Sequence, residues 1–343
     1  MSSKPKERYP YIDIARGICL ILVVWAHAKG PHSAYIYLFH MPFFFFLSGY
    51  LHNTETEWKG FIQKRVKNYY IPFVFWNTVV TAGRFVFGNM KIGTALRQVF
   101  WVLLAVEKDG KVMGATWFLG ALFLVSAIYK LLETATKRTG QHHLILCVFF
   151  VLAAVGAYYH KLPHMQSRTV ILAAFYAAGV LSRRLGFDPE KHCDPRAMLL
   201  AFALFLWLRQ GMHVNMGTNV YRTMPKFILT SLLGTYIVLS LSIFLTKWFN
   251  VFTENIGALL GFIGRRGIDL VIWQFVAFWV ITTFQQFLKN GSFVEFMKGD
   301  AVQTTSGGWW FLYFLAGMIL PLLWTDLLRK GRLGAFLKKY HIV

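Results

Sequence analysis

The sequence predicts an all-α, polytopic integral membrane protein of about ten transmembrane helices, with both termini cytoplasmic. Three observations carry this. The chain of 343 residues is 56% hydrophobic and only 15% charged, against roughly 25% charged in a soluble domain. The missing charge is absent from runs of about twenty residues and gathered between them, which is the pattern a bilayer imposes. The basic residues fall mainly between alternate pairs of runs, as they do in the cytoplasmic loops of membrane proteins.

The first run, 11–29, ends at His27–Lys29 without a small-residue cleavage site, so it reads as a retained span. The second, 33–51, follows a turn at Gly30-Pro31-His32 so short that the two spans must be antiparallel neighbours. The third, 68–88, is entered through Lys64, Arg65 and Lys67. The rest are expected at 114–134, 142–160, 169–184, 195–211, 225–247, 267–288 and 306–328. Segment 94–106 is apolar but short and contains Arg97, so it is expected to be interfacial or re-entrant.

Charge tests the count. With ten spans and Lys4, Lys6 and Arg8 inside, 22 of the 36 Lys and Arg are cytoplasmic. Eleven spans would put the basic tail outside. No linker or internal repeat divides the chain, so residues 1–343 read as one membrane domain. Its basic tail, 329–343, carries Phe336 and Leu337 and suits an anionic inner surface.

The formal net charge of +21 would raise nucleic acid as a partner for a soluble protein. Here the charge sits in short loops, and topology accounts for it. Cys19, Cys147 and Cys193 are odd in number and widely spaced, so neither a disulfide framework nor a metal pattern is expected.

Ionisable groups inside spans are costly and point to function. The first span carries Asp13, Arg16 and His27. Eleven residues separate Arg16 from His27, so they share one helix face, roughly 16 Å apart along the axis. Asp13 is placed to pair with Arg16. A fixed cation at the inner mouth suits phosphate, and an imidazole deeper in suits general-base work. The competing account is a snorkelling Arg16 paired with Asp13 and a His27 that only hydrogen-bonds a neighbour.

In the second span, His40 should lie at a depth similar to that of His27. Pro42 should free a backbone carbonyl, and Ser48-Gly49 should allow close helix approach. The run Phe43–Phe46 reads as packing or lipid-facing surface. Asp269 is expected to pair with Arg265 or Arg266, and Asp326 with Arg329 or Lys330. His142, His143, His160 and His164 lie at span ends and are given no role.

Together these residues resemble the acyltransferase family 3 membrane proteins. The similar segments are Tyr11-Ile12-Asp13-Ile14-Ala15-Arg16-Gly17 with His27 eleven residues after Arg16, then His40-Met41-Pro42 and Phe45-Phe46-Leu47-Ser48-Gly49-Tyr50. Weaker likenesses are Lys64-Arg65-Val66-Lys67 ahead of Tyr70-Ile71-Pro72, Trp117-Phe118-Leu119, and the stretch from Gly264 to Gln274. The chain departs at Gly267, where many members have Ser, and at Gln274, where many have His. No hydrophilic esterase-like domain is expected after the tenth span.

The resemblance implies transfer of an acyl group, usually acetyl, from cytoplasmic acetyl-CoA to a hydroxyl of an extracytoplasmic or lipid-linked glycan in a bacterial inner or plasma membrane. It implies His27 and His40 as catalytic residues, with Arg16, Lys64 and Arg65 on the CoA phosphates. Trp117, Gln274 and Ser48 fall to the acceptor, and no metal is implied. Direct transfer and an acyl-histidine relay both remain open. So do Arg65 as a topological anchor and Trp117 as an interfacial aromatic. Two other function classes compete: a glycan or lipid transporter, and an inactive assembly partner. The costly intramembrane Arg16, His27 and His40 argue against the second.

Overall fold

A computed structural model describes residues 9–87, 90–105, 107–108, 112–137, 140–247, 251–291, 302 and 305–342, the side chains of 251–254 and 290 aside. Lys4, Lys6, Arg8, Arg138 and parts of the outer segments 89–113 and 289–305 lie outside these residues.

Helix α1 (Pro10–His27) opens on proline, whose fixed φ and missing N–H cost nothing at a helix start. The single second span expected over 33–51 is instead two helices, α2 (Ser33–Ile36) and α3 (His40–Tyr50). The reason is Pro42. It cannot donate to the carbonyl of Leu38, and it biases the preceding backbone away from the helix. The break is capped from elsewhere: Ser231 Oγ donates to Leu38 O at 2.7 Å, and His40 Nδ1 donates to Ile36 O at 2.8 Å. The freed carbonyl expected at Pro42 is therefore present, with a partner from a distant helix.

Helix α4 (Trp58–Arg65) passes through a π-turn, Val66–Tyr70, into α5 (Ile71–Val86). The apolar segment near 94–106 is α6 (Ile92–Leu103). At 1.5 Å per residue its twelve residues reach about 18 Å, short of the ~30 Å hydrocarbon core. There follow α7 (Trp117–Thr136), α8 (His142–Tyr159), α9 (Ser167–Arg184), the short α10 (Pro189–His192) and α11 (Pro195–Leu208). A small antiparallel hairpin, β1 (Val214–Asn215) with β2 (Val220–Tyr221), leads into α12 (Met224–Lys247). The chain continues through α13 (Val251–Arg265), α14 (Gly267–Asn290), α15 (Trp309–Leu328) and α16 (Gly331–Lys339).

Among the described residues, six helices are long and apolar enough to cross a membrane: α1, α7, α8, α12, α14 and α15. The remaining expected spans correspond to α2 with α3, and to α5, α9 and α11. Many large apolar side chains point outward, among them Leu152 on α8 and Leu200 on α11. That is the surface of a multi-pass membrane protein rather than of a soluble bundle. The run Phe43–Phe46 is packing surface: Phe43, Phe45 and Phe46 are buried.

Helix α13 was not expected; the sequence reading placed a loop there. It packs along α1 backbone to backbone. A Cβ added at Gly17 would stand 2.0 Å from Leu260 O, and one added at Gly264 would stand 2.0 Å from Asp13 O. Small residues facing each other give this approach. Ser48-Gly49 has the expected effect on α3, because a Cβ at Gly49 would fall 1.9 Å from Tyr176 O on α9.

Ion pairs tie one end of the molecule together. Asp13 lies 3.7 Å from Arg16 and 3.8 Å from Arg265. Asp269 pairs with Arg266 and, at 2.9 Å, with Arg329, while Arg266 also reaches Asp326 at 2.9 Å. Asp269 thus takes Arg266, and Arg265 goes to Asp13. The start of α1 and the end of α15 meet at this end, which is called the basic end below.

Candidate active site

A cavity of about 1450 Å³ runs beside α1. One face of that helix lines it from end to end: Ile12, Asp13, Arg16, Leu20, Val23 and His27. From Asp13 onward these positions recur every three or four residues, as one side of a 3.6-residue helix must. All eight residues singled out from the sequence line this one cavity: Arg16, His27, His40, Ser48, Lys64, Arg65, Trp117 and Gln274.

At the basic end the wall carries Arg16, Lys64, Arg65, Arg183, Arg184 and Arg265, against Asp13 and Glu55. Cations outnumber anions, so the end selects an anionic group. Arg65 is held from behind. It donates to Tyr69 OH at 3.1 Å, and its guanidinium lies 4.9 Å from the Phe61 ring centroid. Arg183 donates to Tyr50 O at 3.2 Å, and Arg184 reaches Thr54 Oγ1.

Beneath this wall lies a buried polar cluster. His52 accepts or donates at both ring nitrogens, with Tyr176 OH at 2.7 Å from Nδ1 and Glu133 Oε2 at 3.1 Å from Nε2. Lys130 Nζ lies 2.7 Å from the same carboxylate oxygen and donates to Asn53 O and Thr54 O at 3.3 Å. Burial pushes the His52 imidazole below its usual range, against the opposing pull of Glu133. Glu133, His142 and His143 also bring ligating atoms within 4.8 Å of one another. Lys130 already neutralises that carboxylate, which disfavours a divalent cation there.

Midway along the cavity two imidazoles meet. The rings of His27 and His40 are 6.4 Å apart and perpendicular, at 89°. Tyr37 sits beside both, 6.3 Å and 5.5 Å away, and donates its hydroxyl to Ala26 O at 3.0 Å. The contact with Ile36 O fixes the proton of His40 on Nδ1, leaving Nε2 as an acceptor. His27 Nδ1 lies 3.0 Å from Gln274 Oε1. With that oxygen accepting, Nδ1 carries the proton and Nε2 keeps a free lone pair. Gln274 thus stands against the His27 ring in the middle of the cavity. Trp117 lines the far end with His213, Asn215 and Gly217.

Sequence reasoning missed several of these residues. Tyr37 precedes His40 by three positions, and Lys130 and Glu133 sit three apart within an apolar run. That is the intramembrane-charge signal that had drawn attention to Arg16. Arg183 and Arg184 give no signal in the sequence beyond the positive charge expected of a cytoplasmic loop.

The family described as "Acyltransferase domain" matches residues 9–330. Two curated relatives are both called "Nodulation protein NolL". The one from Mesorhizobium japonicum is 29% identical over 141 residues, covering 36% of each chain. The one from Sinorhizobium fredii is 27% identical over 166 residues, covering 42% of this chain and 41% of the relative. The aligned region thus spans well under half the length of these relatives. No solved structure matches the chain. The family match covers nearly the whole chain, the α1 wall and both imidazoles included, and the chain belongs to acyltransferase family 3.

Proposed function

We propose that the protein moves an acetyl group from cytoplasmic acetyl-CoA to a sugar hydroxyl of an extracytoplasmic or lipid-linked polysaccharide. The observation that carries this reading is the single cavity that joins a cluster of cations to a pair of imidazoles. The phosphates of the donor fit the basic end, where Arg16, Lys64 and Arg65 are the leading ligands and Arg183, Arg184 and Arg265 add to the field. The basic end then faces the cytoplasm, consistent with ten spans and with both termini on that side. The chain acts as one domain in a bacterial inner or plasma membrane.

His27 is the general base. Its Nε2 takes the proton of the sugar hydroxyl as that oxygen bonds to the thioester carbon. When the carbon–sulfur bond breaks, the departing thiolate recovers the proton from His27. Gln274 holds the ring in the tautomer this requires. His40, with Nε2 free, accepts a hydrogen bond from a neighbouring hydroxyl of the same sugar and so orients the ring. Ser48 and Trp117 belong to the acceptor path. No step requires a metal.

The test is acetyl-CoA turnover by purified protein in nanodiscs, with crude envelope glycan as acceptor. Glycan-dependent CoA release should fall by about 10²–10⁴-fold in His27→Ala, the usual worth of a general base. Unchanged turnover would remove His27 from the mechanism. If glycan crosses vesicle membranes without any acyl donor, the protein is a transporter instead.

A further inference from the structure

The end of the cavity opposite the cations holds a charge that the reaction above does not use. Arg168, at the start of α9, is only 6% exposed. It pairs with no carboxylate among the described residues. Its guanidinium lies 4.1 Å from the Trp117 ring centroid, and Nη1 donates to Gly217 O at 3.3 Å. Its Nε is buried without a hydrogen-bond partner. A buried cation without a counter-ion is costly, so its position calls for a purpose.

The two things Arg168 holds are both cavity walls. Gly217 belongs to the connection between β1 and β2, and the hairpin brings Asn215 of β1 and Gly217 to the cavity beside His213. Trp117 lines the cavity from α7. With Arg168 against its ring, the Trp117 indole has one face left for a ligand. A pyranose ring has the matching chemistry: an apolar face of C–H groups to lay on the indole, and a rim of hydroxyls that both donate and accept. The Asn215 amide and the His213 ring offer both kinds of partner.

We infer that Trp117, Asn215 and His213 form a pyranose subsite for the acceptor glycan at the end of the cavity away from the cations, with Arg168 as its positioning residue. This rests on the acyltransferase reading above and adds where the acceptor is gripped. It makes the hairpin the part of the molecule that selects the sugar.

The experiment titrates envelope polysaccharide, released by mild acid, against full-length protein in nanodiscs at saturating acetyl-CoA. It then titrates acetyl-CoA at saturating glycan. Arg168→Gln, and separately Asn215→Ala on the more exposed hairpin, should raise the half-saturating glycan concentration about tenfold, the worth of one stacking or hydrogen-bonding contact. The acetyl-CoA half-saturation should stay within about twofold. Arg168→Lys, which keeps a cation behind Trp117, should recover part of the loss. If both half-saturations move together, Arg168 is a packing residue and the inference fails. It fails as well if neither moves. Absence of glycan-dependent release in the wild type would overturn the acyltransferase reading itself, a result distinct from either.

Discussion

Gln274 Oε1 stands 3.0 Å from His27 Nδ1, although 247 residues of chain separate them. The contact does for His27 what the Ile36 carbonyl does for His40: it fixes which nitrogen carries the proton. Many relatives in the resembling family carry a His where this chain has Gln274, and the amide here supplies an acceptor with no charge of its own. Replacing it by Ala should leave His27 free to rotate and to exchange tautomers. We expect kcat to fall about tenfold, the worth of roughly one hydrogen bond. The acetyl-CoA KM should not change, because Gln274 lies away from the cations. Steady-state kinetics decides it, and a rise in KM at constant kcat would place Gln274 in binding instead.

Arg16 and Arg65 reach the cavity from different supports, so their loss should differ. Arg16 shares Asp13 with Arg265 and is 35% exposed. Arg65 is pinned by Tyr69 and stacked on Phe61. Removing either should raise the acetyl-CoA KM by about 10–100-fold, the range for a charged hydrogen bond, with kcat little altered. Arg65→Lys should recover less than Arg16→Lys, because an ammonium cannot replace the guanidinium held between the Tyr69 hydroxyl and the Phe61 ring. Equal rescue by lysine at both sites would show that charge alone matters at the basic end.

Glu133 carries a stability prediction. It is the only acid that the buried Lys130 touches among the described residues, and the same oxygen holds His52. Both side chains are about 4% exposed. Glu133→Ala leaves a buried ammonium without its counter-ion, which typically costs about 3–5 kcal/mol. Removing both charges together, as Lys130→Met with Glu133→Leu, should restore much of that, since apolar replacements of a buried pair are often close to neutral. Thermal unfolding in nanodiscs measures both. A Glu133→Ala protein as stable as the wild type would show that the pair is solvated.

The parts of the site that could be read from sequence were the local ones. The eleven-residue step from Arg16 to His27 fixes their common face by helix geometry alone. The three-residue turn at Gly30-Pro31-His32 fixes His40 beside His27. The pairing of Asp13 with Arg16, and of Asp269 with Arg266, is an i, i+3 relationship. What could not be read depends on partners far along the chain. The break before His40 is signalled by Pro42, but its tolerance rests on Ser231, 193 residues away from Leu38. Helix α13 has a short apolar stretch interrupted by Gly257, Gly261 and Gly264. Only the backbone of α1 against it turns one of them, Gly264, from helix-weakening to required.

That last relationship makes the sharpest structural prediction. Gly17→Ala places a methyl 2.0 Å from Leu260 O, and Gly264→Ala places one 2.0 Å from Asp13 O. Neither contact can be relieved by rotating a side chain, because the obstacle is backbone. Helix α13 must move off α1, at a cost of about 1–3 kcal/mol for an overpacked contact. The same movement draws Arg265 from Asp13 and widens the basic end, so the acetyl-CoA KM should rise as well. Gly156 on α8 is the control, because nothing lies within 4 Å of an added Cβ there. Gly156→Ala should leave KM unchanged and stabilise the helix by about 0.5–1 kcal/mol, the usual gain of alanine over glycine. Loss of stability at Gly17 without any change in KM would uncouple α13 from the donor site. Loss at Gly156 equal to that at Gly17 would show that the close approach of α1 and α13 has no special role.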